Sequence, residues 1–144
     1  MGKKILYRQN TGKIAIMSLA QDTTVDQAIT TLPLMTDYCI IDEDQLPNDN
    51  DLAHFFDALT VDFTDTSAPQ ISIDITGARA ITKERLRRER IPLFEANDLI
   101  IRDAMIENDA EKLAAAIAER DRLRNITVVP DTIDTLDGLR NLHP

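Results

Sequence analysis

The sequence predicts an α+β protein, with a small N-terminal three-stranded α+β domain built on a β-hairpin and a C-terminal antiparallel helical hairpin. Three observations support this prediction. Short, partly alternating apolar segments occupy the first half of the chain, whereas apolar residues recur at three, four and seven residues after position 77. A polar break, residues 107–109, divides the helical part. We expect residues 1–63 to form the α+β domain, 64–76 a linker with a short strand, and 77–144 the helical hairpin with a short C-terminal helix.

The N-terminal domain is predicted to begin with a β-hairpin. Two strand-like segments, 4–8 and 13–17, are separated by turn residues that include Gly12. Because an isolated hairpin is marginally stable, a third strand and a covering helix are physically required. We expect that strand at 38–41 and that helix at 25–32, where Thr23 or Thr24 caps it and Pro33 follows.

A second short helix is predicted after the acidic loop 42–47. Asp49 or Asn50 is the expected cap. This helix is predicted to contain the densest aromatic group of the chain, formed by Leu52, Phe55, Phe56 and Leu59. Residues 64–69 are rich in Thr, Ser, Asp and Pro, which is typical of a linker, and the alternation at 70–75 predicts a short strand that leads into the long helix.

The stretch 77–125 predicts two long helices joined by a tight turn. Leu86, Leu93 and Ile100 recur every seven residues, and Phe94 and Ile101 lie one position further along. This spacing produces an apolar face that packs against another helix. Such a hairpin is more often an interaction element than a catalytic one.

Local signals within this stretch predict where its helices bend, begin and end. Pro92 lies inside the pattern, so we expect a kink or a short break near Ile91. Asn108, with Glu111 three residues later, is the expected cap of the second helix. Residues 128–130 are predicted to end it, and a last short helix is predicted to start at Asp131 or Thr132.

Charge and cysteine content limit the classes of partner. Residues 1–75 contain 4 basic and 12 acidic side chains, whereas residues 76–144 contain 12 and 13, within a net charge of −9. An acidic first half repels nucleic-acid phosphates and anionic membranes, so neither is expected as a partner. No apolar run approaches the length that crosses a bilayer. The single cysteine, Cys39, cannot form an internal disulfide and is expected to be a packed thiol.

Candidate catalytic and metal-binding residues favour a non-enzymatic protein. The acidic residues 42–51 lack the glycine and the final glutamate of a calcium-binding EF-hand loop. His54 lies beside two phenylalanines, and His143 is distant from it in sequence, so neither is expected to act as a general base. We therefore expect no catalytic residues, no metal and no cofactor.

A basic run at the start of the long helical stretch admits two interpretations. The run contains only two acids, Glu84 and Glu89. Its six cations are Arg79, Lys83, Arg85, Arg87, Arg88 and Arg90. They could contact RNA or DNA, but no aromatic residue is interleaved and the cations spread around the helix. Ion pairs with neighbouring acids or with the acidic N-terminal half explain the run equally well.

Short motifs along most of the chain resemble a known family. They comprise a strand with the pattern Tyr-x-Ile-hydrophobic-Asp, an arginine-rich helix, and a second helix that ends before a closing proline. They occur at 38–42, Leu46-Pro47, Phe55-Phe56, 73–81, Arg85, Arg88, Leu93, 119–127, Pro130 and 136–139. In these features the chain resembles the tail-fibre and tail assembly chaperone families encoded in the tail-fibre regions of tailed bacteriophages.

The resemblance implies a chaperone-like phage tail-fibre assembly protein in the host cytoplasm. Such a factor binds the tail fibre without catalysis and aids its folding, trimerisation or attachment. The expected contact residues are Leu86, Leu93, Phe94, Ile100 and Ile101, followed by Phe55 and Phe56. Alternatively, the same stripe packs only the hairpin's own two helices.

A structural role is the competing hypothesis. The protein would then remain in the virion tail as an adaptor that joins fibre to baseplate, with a baseplate protein or further copies of itself as partners. A chaperone should be absent from mature particles, whereas an adaptor should be present in fixed stoichiometry. A nucleic-acid-binding regulator is the third hypothesis, and it predicts steeply salt-dependent binding.

Overall fold

The structure is a computed structural model that describes residues 2–144. It divides into two compact units, Met1–Gly77 and Ala78–Pro144. A three-stranded antiparallel sheet lies near the N-terminus, and a long helix followed by a helical hairpin forms the C-terminal part. The predicted α+β fold class is therefore confirmed.

The first sheet contains β1 (Lys3–Arg8), β2 (Ile14–Ser18) and β3 (Tyr38–Asp42). Their order is β2-β1-β3, and both pairs are antiparallel. The turn between β1 and β2 places Gly12 at a φ of +82°, a left-handed conformation that glycine adopts without steric cost. The predicted hairpin and third strand are both present.

Helix α1 (Val25–Ile29) is shorter than the predicted 25–32. Thr24 caps it and forms a capping box with Gln27, so one of the two predicted caps is correct. The helix stops early because the hydroxyls of Thr30 and Thr31 donate to the carbonyl oxygens of Gln27 and Ala28, at 2.6 and 2.7 Å. Side-chain bonds of this kind compete with continuation of the helix.

Helix α2 (Asp49–Phe55) has its cap one residue before Asp49 and two before Asn50, the two caps that the sequence predicts. Asn48 is the cap, and its side-chain oxygen accepts from the main-chain N–H of Asp51 at 2.9 Å. A 3₁₀ turn (Phe56–Ala58) ends the helix, so the prediction that Leu59 is helical is wrong. Leu59 instead begins a strand, because it alternates with exposed Thr60 to place buried Val61 on the same side.

That strand, β4 (Leu59–Asp62), pairs antiparallel with β5 (Gln70–Ile73). The predicted strand near 70–75 is present, but its partner was missed. Residues 64–69 form the loop between these two strands within the first unit, rather than a linker between domains. Asp62 and Asp65 accept hydrogen bonds from Thr64 and Ser67, which shows why this composition suits a tight loop as well as a linker.

Both sheets contribute to one core in the first unit. Its buried members are Leu6, Ile14, Cys39, Ile41, Leu59 and Val61. Cys39 is packed here as expected, and burial raises the pKa of its thiol. The thiol is therefore held in its protonated form.

The second unit is organised by α3 (Ile75–Glu107), which begins in the first unit, and α4 (Ala110–Asn125). Asn108 does not cap α4 as predicted; it has a φ of 55° and ends α3. The Asn108 and Asp109 N–H groups donate back to the carbonyl oxygens of Met105 and Ala104, so two of the last four carbonyls of α3 are satisfied. Asp109 is the cap of α4, and its side chain accepts from Lys112 N–H at 3.0 Å.

Pro92 does not interrupt α3. The helix is continuous from Ile75 to Glu107, so the short break expected near Ile91 is absent. Pro92 lacks the N–H that would bond to the carbonyl of Arg88. That loss is local, and the helix is held on both sides of it by the contacts described below.

After α4 the chain forms a 3₁₀ segment (Ile126–Thr132) and α5 (Leu136–Arg140). The predicted start of the last helix at Asp131 or Thr132 is wrong. Asp131 pairs with Lys83, and the Thr132 hydroxyl donates to Val129. Thr135 caps α5 instead.

Candidate partner-binding surface

The beginning of α3 is covered by the C-terminal segment, defined here as residues 126–144. Arg79 donates through two nitrogens to the carbonyl oxygen of Ile133, at 3.1 and 3.0 Å. Arg85 donates to the carbonyl oxygens of Leu139 and Leu142, at 2.9 and 2.8 Å. These charge-assisted hydrogen bonds from two α3 side chains to main-chain carbonyl oxygens fasten the segment to α3.

Three of the four remaining cations of the basic run are also engaged within the chain. Lys83 pairs with Asp131 at 2.7 Å, and Arg87 pairs with Glu84. Arg90 donates to the carbonyl oxygens at the end of α4. The structure thus favours intramolecular pairing, and the partners are neighbouring acids together with the C-terminal segment.

Glu89 lies where this segment ends. Partial burial acts to raise the pKa of Glu89, but hydrogen bonds from Arg85 and His143, and their charges, outweigh it and hold the pKa below its ordinary value. His143 Nδ1 lies 3.3 Å from the Glu89 carboxylate and 3.2 Å from the Arg85 guanidinium. His143 is therefore part of a tail contact.

The interior between α3 and α4 is built from small or polar side chains. Ala104, Ala116 and Asn97 are buried there. The Asn97 side-chain amide donates to the carbonyl oxygen of Ala116 at 2.9 Å, and Asp98 pairs with Arg120 at 3.2 Å. Alanine side chains are too small to cover large neighbouring side chains.

The predicted contact residues of α3 differ in exposure along the helix. Leu86 is fully buried, whereas Leu93 and Ile100, seven and fourteen residues later, are 40% and 44% exposed. Phe94 and Ile101 are half-buried, and the Arg90 guanidinium lies over the Phe94 ring at 5.4 Å from its centroid. The stripe is covered at its start and uncovered toward the turn.

The aromatic pair in the first unit divides in the same way. Phe55 is buried, while Phe56 is 41% exposed. Leu86 and Phe55 consequently pack within the chain and present no surface to a partner in this conformation. The other five predicted contact residues remain accessible, fully or in part.

The structure adds large apolar side chains that the sequence analysis did not assign to a contact. Those of the helical hairpin that are exposed are Ile91, Leu99, Met105, Ile106 and Ile117. A shallow groove of about 450 Å³ lies on this hairpin, lined by Asp98, Ile101, Arg102, Met105, Ile106 and Arg120. The sequence contains a signal for this exposure. The part of α4 at 113–118 is mostly alanine, and alanine is too small to cover the large apolar side chains of α3.

The groups considered for chemistry are engaged elsewhere. His54 Nδ1 lies 2.8 Å from the carbonyl oxygen of Asn50, one helical turn earlier. Among residues 2–144, no three His, Cys, Asp or Glu side chains are grouped so that they could hold a metal ion. No helix in this described part of the chain has the length and apolar character needed to cross a membrane.

Comparisons of the chain with models of protein families, with curated proteins and with solved structures find no match.

Proposed function

We propose that this protein is a non-enzymatic phage tail-fibre assembly factor, which acts in the host cytoplasm and binds the fibre through its helical hairpin. The observation that supports this most directly is the exposure of Leu93 and Ile100 on a helical stripe whose earlier member, Leu86, is fully buried. The motif resemblance to tail assembly chaperones supplies the class of partner.

The exposed apolar side chains are numerous for one element. Helices α3 and α4 together expose seven large ones, namely Ile91, Leu93, Leu99, Ile100, Met105, Ile106 and Ile117. Scattered apolar residues are normal on a protein surface, but Ile101, Met105 and Ile106 line one groove, and a grouped apolar surface of this kind marks an interaction site. A fibre segment that has yet to trimerise exposes apolar surface, which such a site could cover until assembly.

The hairpin holds this surface in a defined arrangement. Asn97, Asp98 and Arg90 bond across to α4, and the C-terminal segment fastens the beginning of α3. A preformed surface loses less conformational entropy when it binds. Acids exceed bases by eight over residues 1–75. This net negative charge favours the solubility of a complex that exposes apolar surface.

The virion-adaptor hypothesis uses the same surface and differs in the fate of the protein. Purified particles distinguish the two roles: a chaperone is absent from them, and an adaptor is present at fixed copy number.

Co-expression with the adjacent tail-fibre protein tests the proposal. Size-exclusion chromatography with light scattering would compare each protein alone with the pair. We expect a joint peak that Leu93→Asp or Ile100→Asp abolishes while circular dichroism shows the variant still folded. Glu95→Lys is the control, because it changes the charge of an exposed side chain that lies about half a turn from the Leu93 and Ile100 stripe.

A complex that survives both stripe variants but not the control would move the interface to the opposite side of α3. Absence of any complex, together with unchanged solubility of the fibre protein, would overturn the proposal.

A further inference from the structure

Strand β3 lies at the edge of its sheet, with β1 on one side only. The Arg8 N–H donates to the carbonyl oxygen of Asp37, and the Glu43 N–H donates to the carbonyl oxygen of Gly2. In this register the main-chain groups of every second residue, 37, 39, 41 and 43, point toward β1. The main-chain groups of the residues between them, Tyr38 and Ile40, therefore point away from the sheet.

These outward groups have no partner within residues 2–144: no hydrogen bond there involves the main-chain N–H or C=O of Tyr38 or Ile40. The next outward N–H, that of Asp42, donates to the Gln45 side chain at 2.8 Å and closes the end of the strand. Two donors and two acceptors thus remain open on β3.

A cavity lies along this edge. Its volume is about 470 Å³, within the range of roughly 300–1,000 Å³ common for ligand sites, and it is lined by residues 36–40, Phe63 and Thr66. The side chains of Tyr38 and Ile40 are 36% and 38% exposed. An occupant would meet the open main-chain groups, apolar side chains and the loop after β4.

We propose that β3 binds an extended segment of a partner protein, which adds to the sheet as a further strand. The segment has alternating apolar residues and basic residues at its ends. An extended backbone is the ligand that matches two donors and two acceptors at a two-residue spacing. The site lies in the first unit and does not depend on whether the helical hairpin binds a tail fibre.

The sequence of β3 supports an open edge. Edge strands that avoid pairing usually contain lysine, proline or a bulge, and Tyr38-Cys39-Ile40-Ile41-Asp42 contains neither lysine nor proline and pairs with β1 in unbroken register. Its opposite face is anchored, because Cys39 and Ile41 are buried in the core.

Charge favours a basic partner over a second copy of this chain. Asp37 precedes the strand, and Asp42, Glu43 and Asp44 end or follow it. Three of these acids already pair with cations of β1: Asp37 with Arg8, Asp42 with Lys3 and Glu43 with Lys4. Two β3 strands paired antiparallel about Ile40 would place Asp37 opposite Glu43, and like charges in facing positions are destabilising. Acids exceed bases by eight over residues 1–75, so lysine or arginine at the ends of a foreign strand would instead meet a net negative surface that includes Asp44.

The probe for a test is the capped peptide acetyl-Lys-Val-Thr-Val-Thr-Val-Lys-amide, added to the isotope-labelled full-length protein. We expect the amide protons of Tyr38 and Ile40 to become protected from exchange, with cross-strand contacts from the peptide in nuclear magnetic resonance spectra. Ile40→Pro removes one open donor and should weaken binding about tenfold, whereas Ile40→Val should not.

Two methylated peptides make the test independent of how well Ile40→Pro folds. One is N-methylated at every valine and the other at every threonine, so each has one blocked edge. Strand addition predicts that one of them loses binding and the other keeps it. Replacing both lysines by glutamate should weaken binding about tenfold or more and reduce its salt dependence.

Equal binding of both methylated peptides, or protection elsewhere than at β3, would overturn the proposal. So would failure of the unmethylated peptide to bind. A dimer in light scattering that Ile40→Pro converts to monomer would assign the edge to a second copy and would also overturn it.

Discussion

The side-chain amide of Asn97 donates to the carbonyl oxygen of Ala116 at 2.9 Å, in the buried interior between α3 and α4. The bond joins two helices through a main-chain group, so it determines the register at which they meet. It lies between the covered beginning of α3 and the turn at Asn108.

Replacing Asn97 tests how much this bond contributes. Asn97→Ala should lower the free energy of unfolding by about 1–3 kcal/mol, because it removes the bond and leaves a gap. Asn97→Leu should be nearly neutral or stabilising, since both the cost of burying an amide and the gap disappear. Urea unfolding of the full chain measures both; a larger loss for Asn97→Leu than for Asn97→Ala would contradict the argument.

Arg85 should control the docking of the C-terminal segment. Lysine cannot reproduce its fork between the carbonyl oxygens of Leu139 and Leu142, so Arg85→Lys should destabilise the segment by about 1–2 kcal/mol. Hydrogen exchange of the amides in α5 measures this opening. Arg87→Lys is the control, because Arg87 is exposed and its ion pair is with Glu84 on the same helix. Equal effects of the two changes would refute the role assigned to Arg85.

Pro92 should be replaceable with a gain in stability. It is exposed and lies within a continuous helix, so Pro92→Ala restores one helical hydrogen bond. The expected gain is up to about 3 kcal/mol, visible as a higher melting temperature. A lower melting temperature would mean that packing around α3 requires the geometry that proline imposes.

Glu89 should make the C-terminal segment sensitive to acid. Its pKa in the folded protein lies below the ordinary value of 4.5, so its contribution is complete above that pH and is lost as the pH falls through the folded pKa. Hydrogen exchange of α5 amides should show detachment as the pH falls below about 4.5. Glu89→Gln should already be less protected near neutral pH and should change less over the same fall in pH; an unchanged pH profile would exclude Glu89 as the cause.

Local patterns in the sequence identified the elements whose causes are local. The hairpin around Gly12, the Thr24 cap and the long helices each depend on residues within one or two turns of one another. Boundaries were less accurate, because Asn48, Asp109 and Thr135 competed with adjacent residues of equal capping ability. The strand β4 was missed because Leu59 also continues the helical spacing of α2.

The candidate surfaces depended on contacts between residues far apart in the chain. Nothing near Arg79 or Arg85 indicates that their partners are carbonyl oxygens more than fifty residues later. The spacing of Leu86, Leu93 and Ile100 is the same, yet only Leu86 is covered. The sequence also predicts β3, but it does not show that this strand lies at the edge of its sheet.

The sequence by itself determined the α+β class, the apolar stripe and the acidic character of the first half, because periodicity and charge are properties of neighbouring residues. Tertiary structure alone decided which apolar residues remain exposed and which strand lies at the sheet edge. Exposure and edge position are set by what packs against an element, and that depends on distant parts of the chain meeting in space.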